Sequence, residues 1–301
     1  MPYDHRKTIR RRPARALALA LAVAGSGAVL AGCGATSQAA PLSEAAQETR
    51  QESVTAPRPP AVTLAPAHPS LPASQGHRLL AGRTIVIDPG HNTGNARHTA
   101  EINRKVNIGT TRKECDTTGT ATNAGYSEAS FTLDVSRRLR DLLTARGAKV
   151  VLTHDGDRPW GPCIDERARI GNNARADAVV SVHADGSAAG HRGFHVILPA
   201  RVHAGGADTS RIVAPSRVLG EKIRDRFARA TGTSPANYIG GGTGLDVRGD
   251  LGGLNLSTVP KVFVECGNMR DPADARLLTS ASWRQKAALG LAEGITTYLK
   301  G

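Results

Sequence analysis

The sequence predicts an α/β fold: a single domain with a mostly parallel, twisted sheet that is flanked by helices on both faces. Short apolar runs rich in β-branched residues, such as AVVSVH at Ala178–His183 and KVFVE at Lys261–Glu265, are typical of buried strands. Longer segments between such runs repeat apolar residues at intervals of three and four, which is the period of a helix. Strands that alternate with helices along a chain usually form a parallel sheet that is covered on two sides.

The predicted elements begin with a strand at Arg83–Asp88. A long polar loop follows and extends to about residue 125. The first long helix, Ser127–Arg146, is capped by Gly147 and has an apolar face made of Phe131, Val135, Leu139, Leu142 and Leu143. The remaining predictions, in chain order, are a strand at Lys149–Thr153, a helix at Asp165–Ala176, strands at Ala178–His183 and Gly193–Leu198, a helix at Ser216–Ala230, a strand at Lys261–Glu265 and a closing helix at Ala281–Leu299.

Residues 1–32 have the composition of an export signal. A basic start is followed by the apolar run Ala16–Val23, which is too short to span a membrane, and then by Leu30-Ala31-Gly32-Cys33. This ending resembles that of a bacterial lipoprotein signal, in which the cysteine is lipidated and becomes the mature N-terminus. We therefore expect Cys33 to carry a lipid anchor on the outer face of the cytoplasmic membrane. The alternative is an ordinary cleaved signal in which Cys33 has no role.

Residues 33–79 are rich in Ala, Pro, Ser, Gln and Glu, as in PRPPAVTLAPAHPSLP at 57–72, and show no hydrophobic periodicity. A segment of this composition cannot bury enough apolar surface to fold, so we predict a disordered tether. The folded domain is predicted at residues 80–301, an ordinary size for one domain. The tether would lift this domain off the membrane into the cell wall.

Net charge narrows the choice of partners. Residues 1–32 hold six Lys/Arg and one Asp, so residues 33–301 keep 33 of the 39 basic and 25 of the 26 acidic side chains, a net charge of +8. A basic exported domain suits an anionic polymer of the cell envelope, and a basic face that only contacts solvent is the simpler alternative. Nucleic acid is a poor candidate, because aromatic residues make up 3% of the chain and no recognition motif is present.

Three cysteines lie within the predicted domain, and export makes a disulfide bond between two of them feasible. Cys115 and Cys163 both lie in polar, turn-rich loops, whereas Cys266 follows an apolar strand. We predict a disulfide bond between Cys115 and Cys163, and a free, buried thiol at Cys266.

Ionisable residues follow or end several of the predicted strands. The first strand leads through Asp88-Pro89-Gly90 to His91, and two later strands end on His183 and Glu265. Glu128 opens the first long helix, which should start at the same edge of the sheet. Because ligands of open α/β sheets collect at the carboxyl ends of the strands, we expect these two imidazoles and two carboxylates to face one crevice.

Two histidines and one carboxylate, with a fourth position left open, form a typical catalytic zinc site. The second carboxylate would then act as a base on water. Each residue also has an ordinary alternative: His91 could be a surface hydrogen-bonding group, and Glu128 could simply favour the helix dipole. Glu265 is harder to explain in this way, because an unpaired carboxylate at the end of an apolar strand costs several kcal/mol to bury.

Four segments resemble the successive blocks of the zinc-dependent N-acetylmuramoyl-L-alanine amidases: TIVIDPGHNTGN, GYSEASFTLDVSRRLRDLLTARGAKVVLTHDGDR, ERARIGNNARADAVVSVHADGS and GLNLSTVPKVFVECGNM. The resemblance covers nearly all of residues 84–299, in the order found in the family. It implies that the zinc ligands are His91, Glu128 and His183. It also implies that Glu265 is the catalytic carboxylate and that Arg167 has a structural role.

Two positions depart from the family pattern. Asp185 stands where the family commonly has Asn, and Cys266 stands where it commonly has Thr or Leu. Neither departure removes a ligand, so we expect an active enzyme. Asp88 either orients His91 without itself binding the metal or only caps the turn. The glycine-rich stretch 239–253 is either a mobile loop over the cleft or a turn-rich connector.

The resemblance implies hydrolysis of the amide bond between N-acetylmuramic acid and L-alanine, in peptidoglycan or in soluble muropeptides, with Zn²⁺ as cofactor. One alternative is a non-catalytic, peptidoglycan-binding or regulatory lipoprotein that retains the amidase fold. The intact set of two histidines and two glutamates argues against that alternative. A metal-dependent hydrolase that acts on another amide of the envelope would use the same site.

Overall fold

A computed structural model describes residues 78–301 of the chain. The predicted export signal, Cys33 and nearly all of the predicted tether at 33–79 lie outside the described residues. Near the start of the described residues, Leu80 has a fully buried side chain, and its backbone N–H donates to the carbonyl of Arg146. Within residues 78–301 no helix is both long enough and apolar enough to cross a membrane.

Residues 78–301 contain ten strands and seven α-helices. The strands are β1 (Thr84–Pro89), β2 (Lys105–Asn107), β3 (Arg112–Glu114), β4 (Lys149–Leu152), β5 (Ala178–Asp185), β6 (His195–Pro199), β7 (His203–Ala204), β8 (Ala207–Asp208), β9 (Leu245–Arg248) and β10 (Lys261–Asn268). The helices are α1 (Thr99–Ile102), α2 (Glu128–Ala145), α3 (Ile164–Asn173), α4 (Val213–Thr231), α5 (Gly252–Asn255), α6 (Pro272–Thr279) and α7 (Ala281–Lys300).

The central sheet has six strands in the order β4-β1-β5-β10-β6-β9. Strands β4, β1, β5 and β10 run parallel to one another. Strand β6 is antiparallel to β10, and β9 is parallel to β6, so the last two strands reverse the direction of the sheet. The mostly parallel sheet predicted from the sequence is confirmed.

Helices cover both faces of the sheet, as predicted. Helices α2, α4 and α7 pack on one face, where alternate strand residues such as Val180 and Val182 join the main core. Helix α3 packs on the other face, where Val86 and Val179 form a smaller apolar cluster with Ile170. Because side chains alternate along a strand, Ser181 and His183 point to this second face, beyond the small cluster.

All nine predicted strands and helices are present, with ends that differ by a few residues. Strands β5 and β10 continue past His183 and Glu265, with an irregular register between Glu265 and Asn268. The hairpins β2–β3 and β7–β8, strand β9 and helices α1, α5 and α6 were not predicted from the sequence. These elements are two to eight residues long, too short for a periodic apolar pattern to identify them.

The predicted disulfide bond is present and joins Cys115, just after β3, to Cys163, which caps the N-terminus of α3. Both sulfurs lie in a small apolar cluster with Val106 and the partly buried Trp160. Cys266 is free and buried, as predicted. The disulfide therefore fixes the long loop after β1 against the helix that covers the second face of the sheet.

Replacing both Cys115 and Cys163 by alanine should lower the free energy of unfolding by about 2–4 kcal/mol, because the bond closes a long loop in the unfolded chain. The two cysteines are 48 residues apart. Urea unfolding followed by circular dichroism measures the change. Reductant should shift the midpoint of the wild type and leave that of the double variant unchanged; equal midpoints for the two oxidised proteins would contradict the prediction.

Candidate metal centre and cleft

His91 is held in a tight turn at the end of β1. Its backbone has φ 61°, in the left-handed region, which costs a residue other than glycine ~1–3 kcal/mol. The preceding Gly90 donates its N–H to the carbonyl of Val182 on β5. A Cβ atom at Gly90 would lie 2.4 Å from Cε1 of His183, so only glycine lets the turn pack against that ring. The turn thus brings the two imidazoles together, with ring centroids 5.1 Å apart.

Glu128 lies between the two imidazole rings. Its Oε2 is 3.1 Å from Nε2 of His91, and its Oε1 is 3.0 Å from Nδ1 of His183. The backbone N–H of Thr120 donates a hydrogen bond to Oε2, and that of Ala184 donates one to Oε1. Ser127 caps helix α2 and sets the position of Glu128 at its first turn. The carboxylate is therefore oriented by the backbone as well as by the histidines.

His91, Glu128 and His183 together could hold a metal ion. Their ligand atoms lie within 4.8 Å of one another, and no other group of three or more such residues is found in residues 78–301. Burial alone would lower the pKa of His91, but the charge of Glu128 and a hydrogen bond with Asp116 raise it to about 10. The group thus attracts positive charge, and its two imidazoles and one carboxylate match the donors that divalent transition metals prefer.

The outer nitrogens of both histidines are occupied, which leaves the inner nitrogens for a ligand. Nδ1 of His91 is 3.1 Å from both the carbonyl and the hydroxyl oxygen of Thr117, and 3.5 Å from Oδ1 of Asp116. Nε2 of His183 is 3.2 Å from the hydroxyl of Ser181. Such partners fix the tautomer and the orientation of metal-binding histidines.

A buried guanidinium supports the His91 turn. Arg167, on α3, donates from Nη2 to the carbonyl of His91 and to Asp116, both at 2.9 Å. From Nη1 it donates to Asp88 at 2.8 Å and to the carbonyl of Pro89 at 2.5 Å. Its charge, with that of Lys261, holds the pKa of Asp88 well below the ordinary value although burial opposes this. Arg167 therefore has the structural role that the sequence suggested.

Within the described residues, Arg167 links Asp88 to His91, because its guanidinium donates to the Asp88 carboxylate and to the His91 carbonyl. Its carboxylate also accepts hydrogen bonds from Thr153, at 2.7 Å, and Ser181, at 2.9 Å, and pairs with Lys261 at 3.1 Å. Both aspartates and both bases of this network are at most 5% exposed. Two negative charges thus meet two positive charges in the interior, which compensates for their removal from water.

Glu265 lies beside His183 in the register of β5 and β10, and opposite His195 on β6. Burial, together with the charges of Glu128 and Asp185, raises the pKa of Glu265 well above its ordinary value. Its Oε2 is buried and has no hydrogen-bond partner within residues 78–301. His195 is 2% exposed, and burial lowers the pKa of its ring. Glu265 thus combines a raised pKa with one carboxyl oxygen that the described residues leave unpaired.

The four predicted site residues line one cleft, which has two lobes. The lobe of about 410 Å³ that contains Glu265, here called the glutamate lobe, is also lined by Glu128 and Arg248. The second lobe, of about 300 Å³, is lined in part by Lys113 and Glu114 of the β2–β3 hairpin and is called the hairpin lobe. Both lobes share a set of lining residues that consists of His91, Thr117, His183, Leu251 and Phe263. The candidate metal centre thus lies where the lobes meet.

Several residues that contact or line this region were not predicted from the sequence. Asp116 and Thr117 contact His91 from a loop that carries no periodic signal, although their position directly after Cys115 could have drawn attention to them. Arg248 lies in the glycine-rich stretch 239–253, which forms strand β9 at the sheet edge and contributes to the cleft wall. Part of that stretch, Leu245–Arg248, therefore belongs to the central sheet.

Comparisons with known proteins agree with this architecture. The model of a family described as N-acetylmuramoyl-L-alanine amidase matches residues 85–297. The N-acetylmuramoyl-L-alanine amidase Rv3717 of Mycobacterium tuberculosis is 43% identical over 225 residues, which cover 73% of this chain and 88% of the relative. The crystal structure of the amidase Ami1 from Mycobacterium smegmatis is 42% identical with a TM-score of 0.68, and it covers 73% of this chain and 98% of its own. Ami1 from Mycobacterium abscessus is also 42% identical, with a TM-score of 0.67 and coverage of 73% and 100%.

Arg167→Gln should lower the free energy of unfolding by about 3–5 kcal/mol, because Asp88 and Asp116 would lose the charge that compensates them in the interior. Arg169→Gln is the matched control, since its side chain lies on the same helix, is 64% exposed and only approaches Glu166. The control should change stability by less than ~0.5 kcal/mol. Urea unfolding of both variants measures the change. Equal losses of unfolding free energy in the two variants would contradict the prediction for Arg167.

Proposed function

The chain belongs to the N-acetylmuramoyl-L-alanine amidase family, and on that premise we propose that His91, Glu128 and His183 hold a catalytic zinc ion and that Glu265 moves the proton. The chain is an amidase that hydrolyses the bond between N-acetylmuramic acid and L-alanine in peptidoglycan. The observation that carries the proposal is the grouping of three ligand atoms within 4.8 Å, beside a buried carboxylate in the same cleft.

Zinc is the metal that suits these ligands best. Two histidines and one carboxylate with room for a further oxygen ligand are the donors of several catalytic zinc sites, and the described residues place no thiolate beside them. When bound, zinc supplies a Lewis acid that polarises the scissile carbonyl and makes water more acidic. The chain's own contribution is to fix the ligands, through the backbone N–H groups on Glu128 and the contacts of Thr117 and Asp116 with His91.

Glu265 is proposed as the general base and then the general acid. Its carboxylate accepts a proton from the attacking water and delivers it to the amine nitrogen of the departing L-alanine. Burial and the charges of Glu128 and Asp185 raise the pKa of Glu265, which makes its carboxylate a stronger base. The absence of a hydrogen-bond partner for Oε2 within the described chain leaves the carboxylate available for this role.

The chain works in the cell envelope, where peptidoglycan lies. We further propose that residues 1–32 are an export signal, that Cys33 becomes a lipidated N-terminus and that residues 33–79 form a tether to the domain at 80–301. The lipoprotein-like Leu30-Ala31-Gly32-Cys33 and the Pro/Ala-rich composition support this proposal. The tether and the basic surface would together keep the domain near the anionic wall.

Glu265→Gln should lower kcat by a factor of about 10²–10⁴ and leave the zinc content unchanged, because an amide of the same shape cannot accept the proton. His91→Ala and His183→Ala should instead lose zinc. Activity is measured by mass spectrometry of the stem peptides released from peptidoglycan, and zinc by elemental analysis. A chelator should abolish release by the wild type, and added zinc should restore it.

Either of two results would contradict these assignments. Turnover near the wild-type rate in Glu265→Gln would remove Glu265 from the mechanism. Full zinc occupancy in both histidine variants would show that His91 and His183 are not zinc ligands.

Cys33→Ser should move the protein from the membrane fraction to the soluble fraction of the producing bacterium, because no lipid could be attached. Mass spectrometry should find an acylated N-terminus at Cys33 in the wild type. The catalytic variant Glu265→Gln serves as the control and should stay with the membrane. Recovery of an unmodified wild-type protein in the soluble fraction would show that the signal is an ordinary cleaved one.

A further inference from the structure

Arg248, at the end of β9, presents a partly free guanidinium to the glutamate lobe. Asp250 accepts hydrogen bonds from Nε at 2.8 Å and from Nη2 at 2.7 Å. Nη1 makes no hydrogen bond to any residue from 78 to 301, so one edge of the fork is open. The side chain is 39% exposed and lines the same lobe as Glu265 and His183. Asp250 therefore fixes the plane of the guanidinium and leaves donors for another group.

A second cation pairs with the same carboxylate. Lys113, on β3, contacts Asp250 at 3.1 Å and lines the hairpin lobe. The next residue after Asp250 is Leu251, which lines both lobes. The ion-paired Asp250 is thus followed directly by a residue that both lobes share. A molecule that extends across the candidate metal centre from one lobe to the other would pass Leu251.

The other ionisable side chains that line the glutamate lobe are two histidines of the candidate metal centre and three carboxyl groups. Glu128, Asp185 and Glu265 line it, and Arg248 is the one Lys or Arg that does so. Outside the candidate metal centre, Arg248 is therefore the side chain of this lobe with which a negatively charged group of a substrate can pair. Guanidinium groups favour carboxylates in particular, because their planar donors match the two oxygens.

We propose that Arg248, oriented by Asp250, binds a free carboxylate of the stem peptide. This inference rests on the proposed function. In peptidoglycan, L-alanine is followed by a D-glutamate residue linked through its γ-carboxyl, whose α-carboxyl is either free or amidated. That carboxyl is the charged group nearest to the scissile bond, about two residues or ~7 Å away along an extended chain. The site would therefore favour stem peptides whose second residue is D-glutamate over those with D-isoglutamine.

Exposed ion pairs such as those of Asp250 contribute little stability, so they can rearrange when a substrate carboxylate arrives. The side chain of Asp250 is 51% exposed, and that of Lys113 is 37% exposed. Two soluble substrates test the inference: N-acetylmuramoyl-L-alanyl-D-glutamate and its D-isoglutamine counterpart, which differ only by carboxylate or amide. For the zinc-loaded wild type, kcat/KM should be about tenfold higher for the acid, mainly through KM.

Arg248→Gln should lower kcat/KM for the acid about tenfold and change that for the amide by less than about twofold. Arg248→Lys, which keeps the charge and loses the fork, should fall between the two. Arg217→Gln is the charge-matched control, because Arg217 lies exposed on α4 and only approaches Glu221, at 3.8 Å. Unchanged zinc content and unfolding midpoint show that each variant is folded. An unchanged acid-to-amide ratio in Arg248→Gln would overturn the inference.

Binding supplies a readout that does not need turnover. Calorimetry on the zinc-loaded Glu265→Gln variant should give a lower Kd for the acid than for the amide, and adding Arg248→Gln should remove the difference. Equal Kd values for the two compounds would overturn the carboxylate site and leave the proposed function standing. Failure of the wild type to cleave either substrate or peptidoglycan would overturn the proposed function, whereas the Kd ratio would still decide the carboxylate site.

Discussion

The buried ion pairs of Arg167 are the interaction on which the candidate metal centre depends. One guanidinium joins the end of β1, the backbone of the His91 turn and the loop that contains Asp116. His91 adopts a left-handed backbone conformation, which persists only where the surroundings enforce it. The hydrogen bond from Arg167 to the carbonyl of His91 supplies that constraint. Because Asp88 and Lys261 complete the charge balance, the network is stable only as a whole.

The long polar loop between β1 and α2 has a clear part in this arrangement. It supplies Thr117 and Asp116 to the outer nitrogen of His91, and Thr120 to Glu128. A loop with so little apolar content could not hold these groups in place by core packing. The disulfide bond between Cys115 and Cys163 attaches it to α3, directly beside the residues that contact His91. The covalent link and the Arg167 network therefore act on the same few residues.

The alternation of side chains along the strands decides which chemistry the cleft can perform. Phe263 and Glu265 share one face of β10, and Ser181 and His183 share that face of β5. The opposite face carries Val262, Val264 and other core residues. The proposed proton-transfer group Glu265, the candidate ligand His183 and the apolar ring of Phe263 thus arise from the same periodicity that builds the core. Strands β6 and β9 extend this face to Arg248, so the reversed edge of the sheet adds a partly exposed positive charge to the cleft.

The sequence by itself determined the fold class, the nine main elements, the disulfide and the four residues that line the cleft. Those residues could be found because each follows or ends a strand or opens a helix, and strand ends of an α/β sheet meet at one edge. Boundaries shifted where polar residues continue a strand, as in β5 and β10 beyond His183 and Glu265.

Only the tertiary structure decided how the site is supported and charged. It showed that Asp88 acts through Arg167, that Asp116 contacts His91 and that Asp250 links Arg248 to Lys113. The partners in such contacts are far apart in the chain, 173 residues in the pair of Asp88 and Lys261 and 137 in that of Lys113 and Asp250. Polar residues in loops follow no period, so no local pattern predicts their partners. Their pairing is fixed only when the folded chain brings buried charges close enough to compensate one another.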